Sequence, residues 1–345
     1  MRERAAALDA RAAFPAEDMA DLSEAGLALA TLPAKYGGAG YGIGFEGAQR
    51  LFRLLALLGE GHMAVARLFE AHVNAIHLVL RYGTPELIGH VAEDAAAGHF
   101  FGLWVTDPPA DGVRLVMGER LEGRKFFCSG AGYLGRALIT AATPQGTQMM
   151  IIAVPDGRAV AGEVALAGLR AAVTGAVDFS GLRIARTAWL GEPGDYLREP
   201  EFSAGAWRAA AAALGGLTAL LTAHRAALLT RQRDSDRHQR ARFGQAAIAH
   251  ETARLWLVRA ATRACLQDGP AQEIVAYVNL ARLAVEAACL DALRLTQRSL
   301  GLSAFLVGGE VERLARDLAT FLRQPAPDET LDKAAAFYLG AGLPE

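Results

Sequence analysis

Near the end of the chain, the glycine-containing loop Leu300-Gly301-Leu302-Ser303-Ala304-Phe305 leads to a short helical stretch bearing Arg316-Asp317. The exit Leu322-Arg323-Gln324-Pro325-Ala326-Pro327-Asp328-Glu329 follows. Glycine lets a backbone approach a ligand, and a proline-broken exit turns it sharply away, so the succession is built like a site. Its ionisable groups include the Arg316-Asp317 pair, Arg323 and the two acids beyond Pro327. Acids just past a proline turn commonly serve as helix N-caps, and that is the expected role of Asp328 and Glu329.

Other motifs are weaker. Gly42-Ile43-Gly44-Phe45-Glu46-Gly47 is a formal GxGxxG, but a dinucleotide-binding unit needs a strand before the loop and another after the helix. The residues that follow are helical in pattern, so this reads as a loop at a helix start. The sequence contains no Walker A, HExxH or GxSxG motif, and its eight histidines are scattered. His72 and His77 are five apart on one helix, do not share a face, and read as packed or surface residues.

The elements that must position these groups change period twice along 345 residues. Residues 1–99 are helical, with Leu51, Leu54, Leu55 and Leu58 at amphipathic spacing and a helix from Met63 to Tyr82. Gly83 stands past its end, and Pro85 opens the next helix. Residues 100–198 carry short apolar runs separated by Gly, Pro and Asp, which predict a β domain: Phe101–Thr106, Val113–Met117, Lys125–Ser129, Ala137–Ala141 and Gln148–Val154. Residues 199–345 return to helices of about 203–232, 242–267 and 271–299, with a last one at 329–339, and these predict a bundle. On the third, the polar residues Asn279, Arg282, Glu286, Arg294 and Gln297 fall mainly on one stripe. The wide apolar remainder predicts burial in the bundle and against another subunit.

Composition bounds the partners. A chain 52% hydrophobic with net charge −2 gives no reason to expect nucleic acid or a membrane. Its longest small-apolar run, Ala209 to Leu221, is shorter than the roughly 20 residues of a membrane span. Cys128, Cys265 and Cys289 are far apart in apolar runs, suggesting neither disulfides nor zinc. Met1-Arg2-Glu3-Arg4 lacks a signal-peptide core, and a cytoplasmic location is expected.

The order helical, β, long-helix bundle resembles the acyl-CoA dehydrogenase family over nearly the whole chain. So do the stretch Leu32-Pro-Ala-Lys-Tyr-Gly-Gly-Ala-Gly40 and the C-terminal loop, Arg-Asp pair and exit. The resemblance implies a mainly α, α+β fold with a helical N-domain, a middle β-barrel and a C-terminal four-helix bundle. It implies FAD between the β domain and the bundle, with part of the pyrophosphate held by a neighbouring subunit, and hence a homo-oligomer, dimer or tetramer. Thr106-Asp107-Pro108 is similar to the family's Thr-Glu-Pro turn, whose Thr faces the flavin. In the strand Lys125–Ala131 the resemblance places Phe127 and Ser129 beside the isoalloxazine, where an aromatic can stack and a hydroxyl can hydrogen-bond. Arg240-Ala-Arg-Phe-Gly244 resembles the family's Arg-x-x-Phe-Gly, whose Arg pairs with pyrophosphate, and Gly301 matches a loop glycine near the same phosphates.

One departure bears on the chemistry. The family's usual catalytic Glu falls here at Pro325. The alternative site beside the Arg of the first bundle helix is also without a carboxylate, since Arg208 follows Ala206 and Trp207. Related flavin monooxygenases of this fold carry a His where Gln324 stands. The catalytic residue is therefore unknown from sequence, with Glu329, and less directly Asp328, as a relocated base. Three functions remain open: an FAD oxidoreductase acting on CH–CH bonds of an acyl thioester with an unidentified electron acceptor, a flavin monooxygenase, and a non-catalytic flavin-binding or scaffold protein.

Overall fold

The computed structural model describes residues 1–160 and 162–344. Five helices open the chain: α1 (Arg2–Arg11), α2 (Ala16–Glu24), α3 (Gly44–Gly61), α4 (Met63–Tyr82) and α5 (Pro85–Ala96). Pro85 stands in the first turn of α5, and the Thr84 hydroxyl caps it by accepting from the Leu87 N–H. The GxGxxG stretch begins α3, which runs into α4 with no intervening strand, so no dinucleotide-binding unit forms.

Among the described residues nine short strands follow: β1 (Phe101–Trp104), β2 (Arg114–Val116), β3 (Arg120–Glu122), β4 (Arg124–Cys128), β5 (Arg136–Thr143), β6 (Gly146–Ala153), β7 (Ala159–Val160), β8 (Gly175–Asp178) and β9 (Trp189–Leu190). One sheet has the order β3-β2-β5-β6-β9, with β1 parallel to β5; the other is β4-β8-β7. The strand β3 is an addition to the sequence reading. It pairs with β2 across a tight turn at Met117 and Gly118, both at positive φ.

The C-terminal part comprises the single turn α6 (Glu201–Ala204), then α7 (Ala206–Thr230), α8 (Arg237–Leu266), α9 (Ala271–Leu300), α10 (Glu310–Phe321) and α11 (Pro327–Ala341). Helices α3 and α7 meet backbone to backbone. A Cβ at Gly59 would lie 2.1 Å from Ala212 O, and one at Gly215 would lie 2.0 Å from Ala56 O. This close approach locks the N-terminal helices onto the bundle, while α4 packs between α7 and β1. Helix α4 and the α6–α7 stretch are apolar enough to cross a membrane by composition. Most of the residues in their most apolar stretches are buried, and they form the core where the three parts join.

Candidate functional site

A cavity of about 1090 Å³ opens where the N-terminal helices, the β region and the bundle meet. That volume lies just above what a single small-molecule or cofactor site usually occupies. Thr106, Phe127 and Ser129 line its β wall together. Each is positioned by a local device. The Phe126 N–H donates to Thr106 O at 2.8 Å, pinning the turn to β4. Beneath it the fully buried Lys125 donates to Asp107 Oδ1 at 2.6 Å and to Thr140 Oγ1 at 2.9 Å, and the Val113 N–H reaches the same Asp107 oxygen. Phe127 sits in a β-bulge with φ 53°, which swings its ring out of the strand to half exposure. Ser129 has its carbonyl held by Trp104 Nε1–H at 3.0 Å, and its hydroxyl makes only a 3.4 Å contact with Thr174.

This wall suits a flat aromatic cofactor. It offers an uncovered ring face on Phe127, two hydroxyls with bonding capacity to spare, and the apolar neighbours Leu103 and Val105.

The opposite wall was not anticipated. On the otherwise apolar α4, Arg67, Glu70, Asn74 and His77 face the cavity. Arg67 Nη1 donates to Glu70 Oε2 at 2.6 Å, and Asn74 Nδ2 donates to Glu70 Oε1. From α7 the buried Arg208 donates through Nη1 to Asn74 Oδ1 at 2.6 Å. Arg81, one turn beyond His77, pairs with the buried Glu201 at 2.7 Å. Burial, reinforced by the positive charges of Arg208 and Arg81, pushes the His77 imidazole well below its usual pKa, so it is neutral. The signal for this wall was present. Arg67, Glu70, Asn74, His77 and Arg81 follow i, i+3, i+7, i+10 and i+14 on a helix that is otherwise buried.

The C-terminal exit forms the third side. Arg316 proves to be a clasp: its guanidinium binds Asp9 of α1 at 2.7 Å, Glu312 at 2.8 Å and Ala167 O at 2.8 Å. Asp317 accepts from the Leu169 N–H at 2.7 Å. Together they fix the 165–169 segment of the cavity wall to α10, and Arg316 reaches the lining. Pro325 lines the cavity but gives only its carbonyl, which accepts from Arg282 Nη2 at 2.7 Å. The expected N-cap role for the two acids is corrected. Ala326, in the left-handed conformation, occupies that position with no side-chain cap, and Asp328 and Glu329 lie in the first turn of α11. Glu329 lines the cavity and Asp328 does not. Among the described residues, Glu329 is the one lining carboxylate without a hydrogen bond or ion pair; Glu70, Glu199 and Glu201 are all engaged.

Arg240 and Gly301 lie elsewhere. Arg240 is in the first turn of α8, exposed, with no partner among the described residues. Gly301 ends α9 at φ 62°, ψ −145°, a conformation that glycine alone adopts readily. A shared network holds the two segments: Ser299 Oγ donates to Gln239 Oε1 at 2.5 Å, and His224 Nε2 lies 2.8 Å from the same hydroxyl. The Phe243 ring packs edge-on against His224, so the Phe of Arg-x-x-Phe-Gly has a defined place, but neither Arg240 nor Gly301 borders the cavity of its own chain. The apolar surface left uncovered is also not where expected. Most apolar positions of α9 are buried within the chain. Ile248 and Leu255 of α8 and the loop residues Leu302, Leu306 and Val307 are exposed.

Comparison with known proteins gives the fold its relatives. Residues 1–99 match the family model "Acyl-CoA dehydrogenase, N-terminal domain". No curated protein sequence matches the chain. Among solved structures, a glutaryl-coenzyme A dehydrogenase in its glutaryl-CoA complex superposes with TM-score 0.86 at 21% identity, over 99% of this chain and 91% of that one. TdsC from Paenibacillus sp. A11-2, in complex with FMN and indole, gives TM-score 0.80 at 18% identity, over 99% and 95%. Methanesulfinate monooxygenase MsuC from Pseudomonas fluorescens gives 0.83 at 20%, over 100% and 95%. These likenesses are of fold.

Proposed function

We propose that this chain, acyl-CoA dehydrogenase-like in its N-terminal domain and in its whole fold, is a flavin-dependent oxidoreductase that binds FAD and acts on a CH–CH bond of an acyl thioester. The observation that carries the reading is the single cavity in which Thr106, Phe127 and Ser129 face the exit that bears Glu329. A bound flavin supplies two-electron redox chemistry that no side chain offers. Phe127 stacks on the ring system, and the Thr106 and Ser129 hydroxyls hydrogen-bond its polar edge. Glu329 is the carboxylate free to accept the α-proton of the thioester. The well-held acids Glu70 and Glu201 orient cationic partners instead. Arg240 and Gly301 serve the phosphates of a second copy's cofactor, and the exposed apolar residues of α8 and the 302–307 loop are covered in a homo-oligomer. Free, mostly buried cysteines accord with a reducing cytoplasm.

A second reading, a flavin monooxygenase on the same scaffold, is favoured by Pro325 at the position of the family's usual base. That activity does not require abstraction of an α-proton from a thioester. Anaerobic mixing of flavin-loaded protein with saturated acyl-CoAs, followed by admission of O₂ to the reduced protein, separates the two. Bleaching by a thioester supports the first, and turnover only with reduced flavin and O₂ supports the second.

A further inference from the structure

An irregular stretch ahead of β8, residues 165–174, closes one side of the cavity. Ala165, Leu166, Ala167, Leu169 and Thr174 line it, and the Thr174 hydroxyl is the one in contact with Ser129. The backbone is strained at both ends of the short turn Arg170–Ala172. Leu169 has φ 57°, ψ 33°, and Val173 has φ 43°, ψ 56°. Among the described residues Val173 is the one β-branched side chain at positive φ. Left-handed backbone is uncommon for residues with a Cβ and an outlier for a branched one, and it persists only where surrounding contacts impose it.

Those contacts come from one corner of the molecule. The Leu169 N–H donates to Asp317 Oδ1 at 2.7 Å, and Ala167 O accepts from Arg316 Nη1 at 2.8 Å. Gly168 lies so close to α10 that a Cβ there would stand 2.3 Å from Arg316 O. Arg316 is held in turn by Asp9 of α1, at 2.7 and 3.1 Å, and Arg170 Nη2 reaches Ala10 O at 3.5 Å. Toward the β wall, the Gly130 N–H donates to Ala172 O at 2.7 Å, next to Ser129. Strain released on opening and contacts made only on closing give a segment with two arrangements.

We propose that residues 165–174 are a lid over the flavin wall. Leu169 and Val173 store the strain that favours opening, and Asp9, Arg316 and Asp317 form the latch that holds it shut, so α1 governs entry and exit of the cofactor. The inference rests on the reading of the cavity as a flavin site. The lid carries its own marker, since Arg170 is exposed in its middle and a protease needs the stretch to leave its place before cutting there.

The test follows tryptic cleavage after Arg170 by mass spectrometry in flavin-free protein, and release of FAD by fluorescence from loaded protein. Two variants push in opposite directions. Asp9→Ala keeps a good helix former in α1 and cuts the latch, so cleavage and release should each become about 10-fold faster. Val173→Asn keeps the latch and tolerates the left-handed backbone, so both should become about 5-fold slower. If Asp9→Ala speeds cleavage at Arg170 no more than at the other tryptic sites, the change is global unfolding and the lid is overturned. Val173→Asn with unchanged or faster rates overturns it equally. Variants that alter cleavage but leave FAD release untouched remove its role over the cofactor. If no FAD is taken up at all, the reading of the cavity fails, and the cleavage rates decide the lid by themselves.

Discussion

Lys125 is fully buried and carries its charge under the turn that presents Thr106, with Asp107 as its carboxylate partner. Burial depresses its pKa while the Asp107 contact raises it, and burial prevails. Removing Asp107 leaves that ammonium stranded, so Asp107→Ala should destabilise the fold by about 2–3 kcal/mol in urea unfolding. Adding Lys125→Met to the same chain should recover part of the loss. His72 behaves differently. The Phe101 N–H donates to its Nδ1 at 3.1 Å, and its Nε2 lies 2.8 Å from Ala28 O, which fixes a neutral tautomer. Burial moves its pKa down from 6.5 to about 4, and His224 is lowered to about 4 by the same cause. Between those values the unfolded chain holds the protons that the fold refuses. Stability should therefore be intact above pH 6.5 and fall as pH drops toward 4, by roughly 3 kcal/mol for His72 alone. Unfolding midpoints that stay level from pH 7 to 4 would contradict this. At the exit, Pro325 cannot take a proton, and a positioned base typically contributes about 10²- to 10⁴-fold. Ordinary saturated acyl-CoAs should therefore bleach bound flavin slowly under anaerobic conditions, because the base left to act, Glu329, reaches the cavity from beyond the proline turn. Whatever bleaching occurs should disappear in Glu329→Gln and survive in Asp328→Asn, because only Glu329 borders the cavity.

At the scale of elements, the long helices and the first strands were legible because their periods are strong and their punctuation is explicit. The bounds of α4 follow directly from the apolar run and Gly83-Thr84-Pro85. β3 was hidden because three residues, Arg120–Glu122, with one buried position carry no period of their own. α8 starts earlier than its apolar pattern because Asp236 caps it, accepting from the His238 and Gln239 N–H groups, and this places Arg240 in a helix rather than a loop. The polar face of the cavity went unread because ion-paired residues such as Glu70 and Arg67 look, in sequence, like the solvated side of a helix. Placement of α8 leads to a prediction. If Arg240 serves cofactor phosphates, Arg240→Ala should weaken FAD binding about 10- to 100-fold and leave FMN binding unchanged. Equal weakening of both would assign Arg240 to folding instead. The α3–α7 seam gives another: Gly215→Ala drives a methyl into Ala56 O and should cost more than about 2 kcal/mol in unfolding free energy.

Over the whole molecule, the three-part order was readable from two changes of period, because helical and strand spacing differ throughout each part. The cavity was not readable as a single object. Its lining comes from α4, the β1–β4 region, the loops at 165–174 and 196–199, α6, α7, α9 and the α10–α11 exit, which only the fold brings together. Ile248 and Leu255 of α8 and Leu302, Phe305, Leu306 and Val307 after α9 are exposed apolar residues that a monomer leaves in water. Light scattering at micromolar concentration should accordingly report at least a dimer, and a monomer would remove the second-copy role given to Arg240. The most direct test of the account is an absorbance titration of the flavin-free protein with FAD, followed by gel filtration. The prediction is uptake of one FAD per chain that survives filtration in the unaltered protein and is weakened when Phe127 and Ser129 are both changed to Ala. Absence of uptake, or uptake indifferent to those two residues, would contradict it.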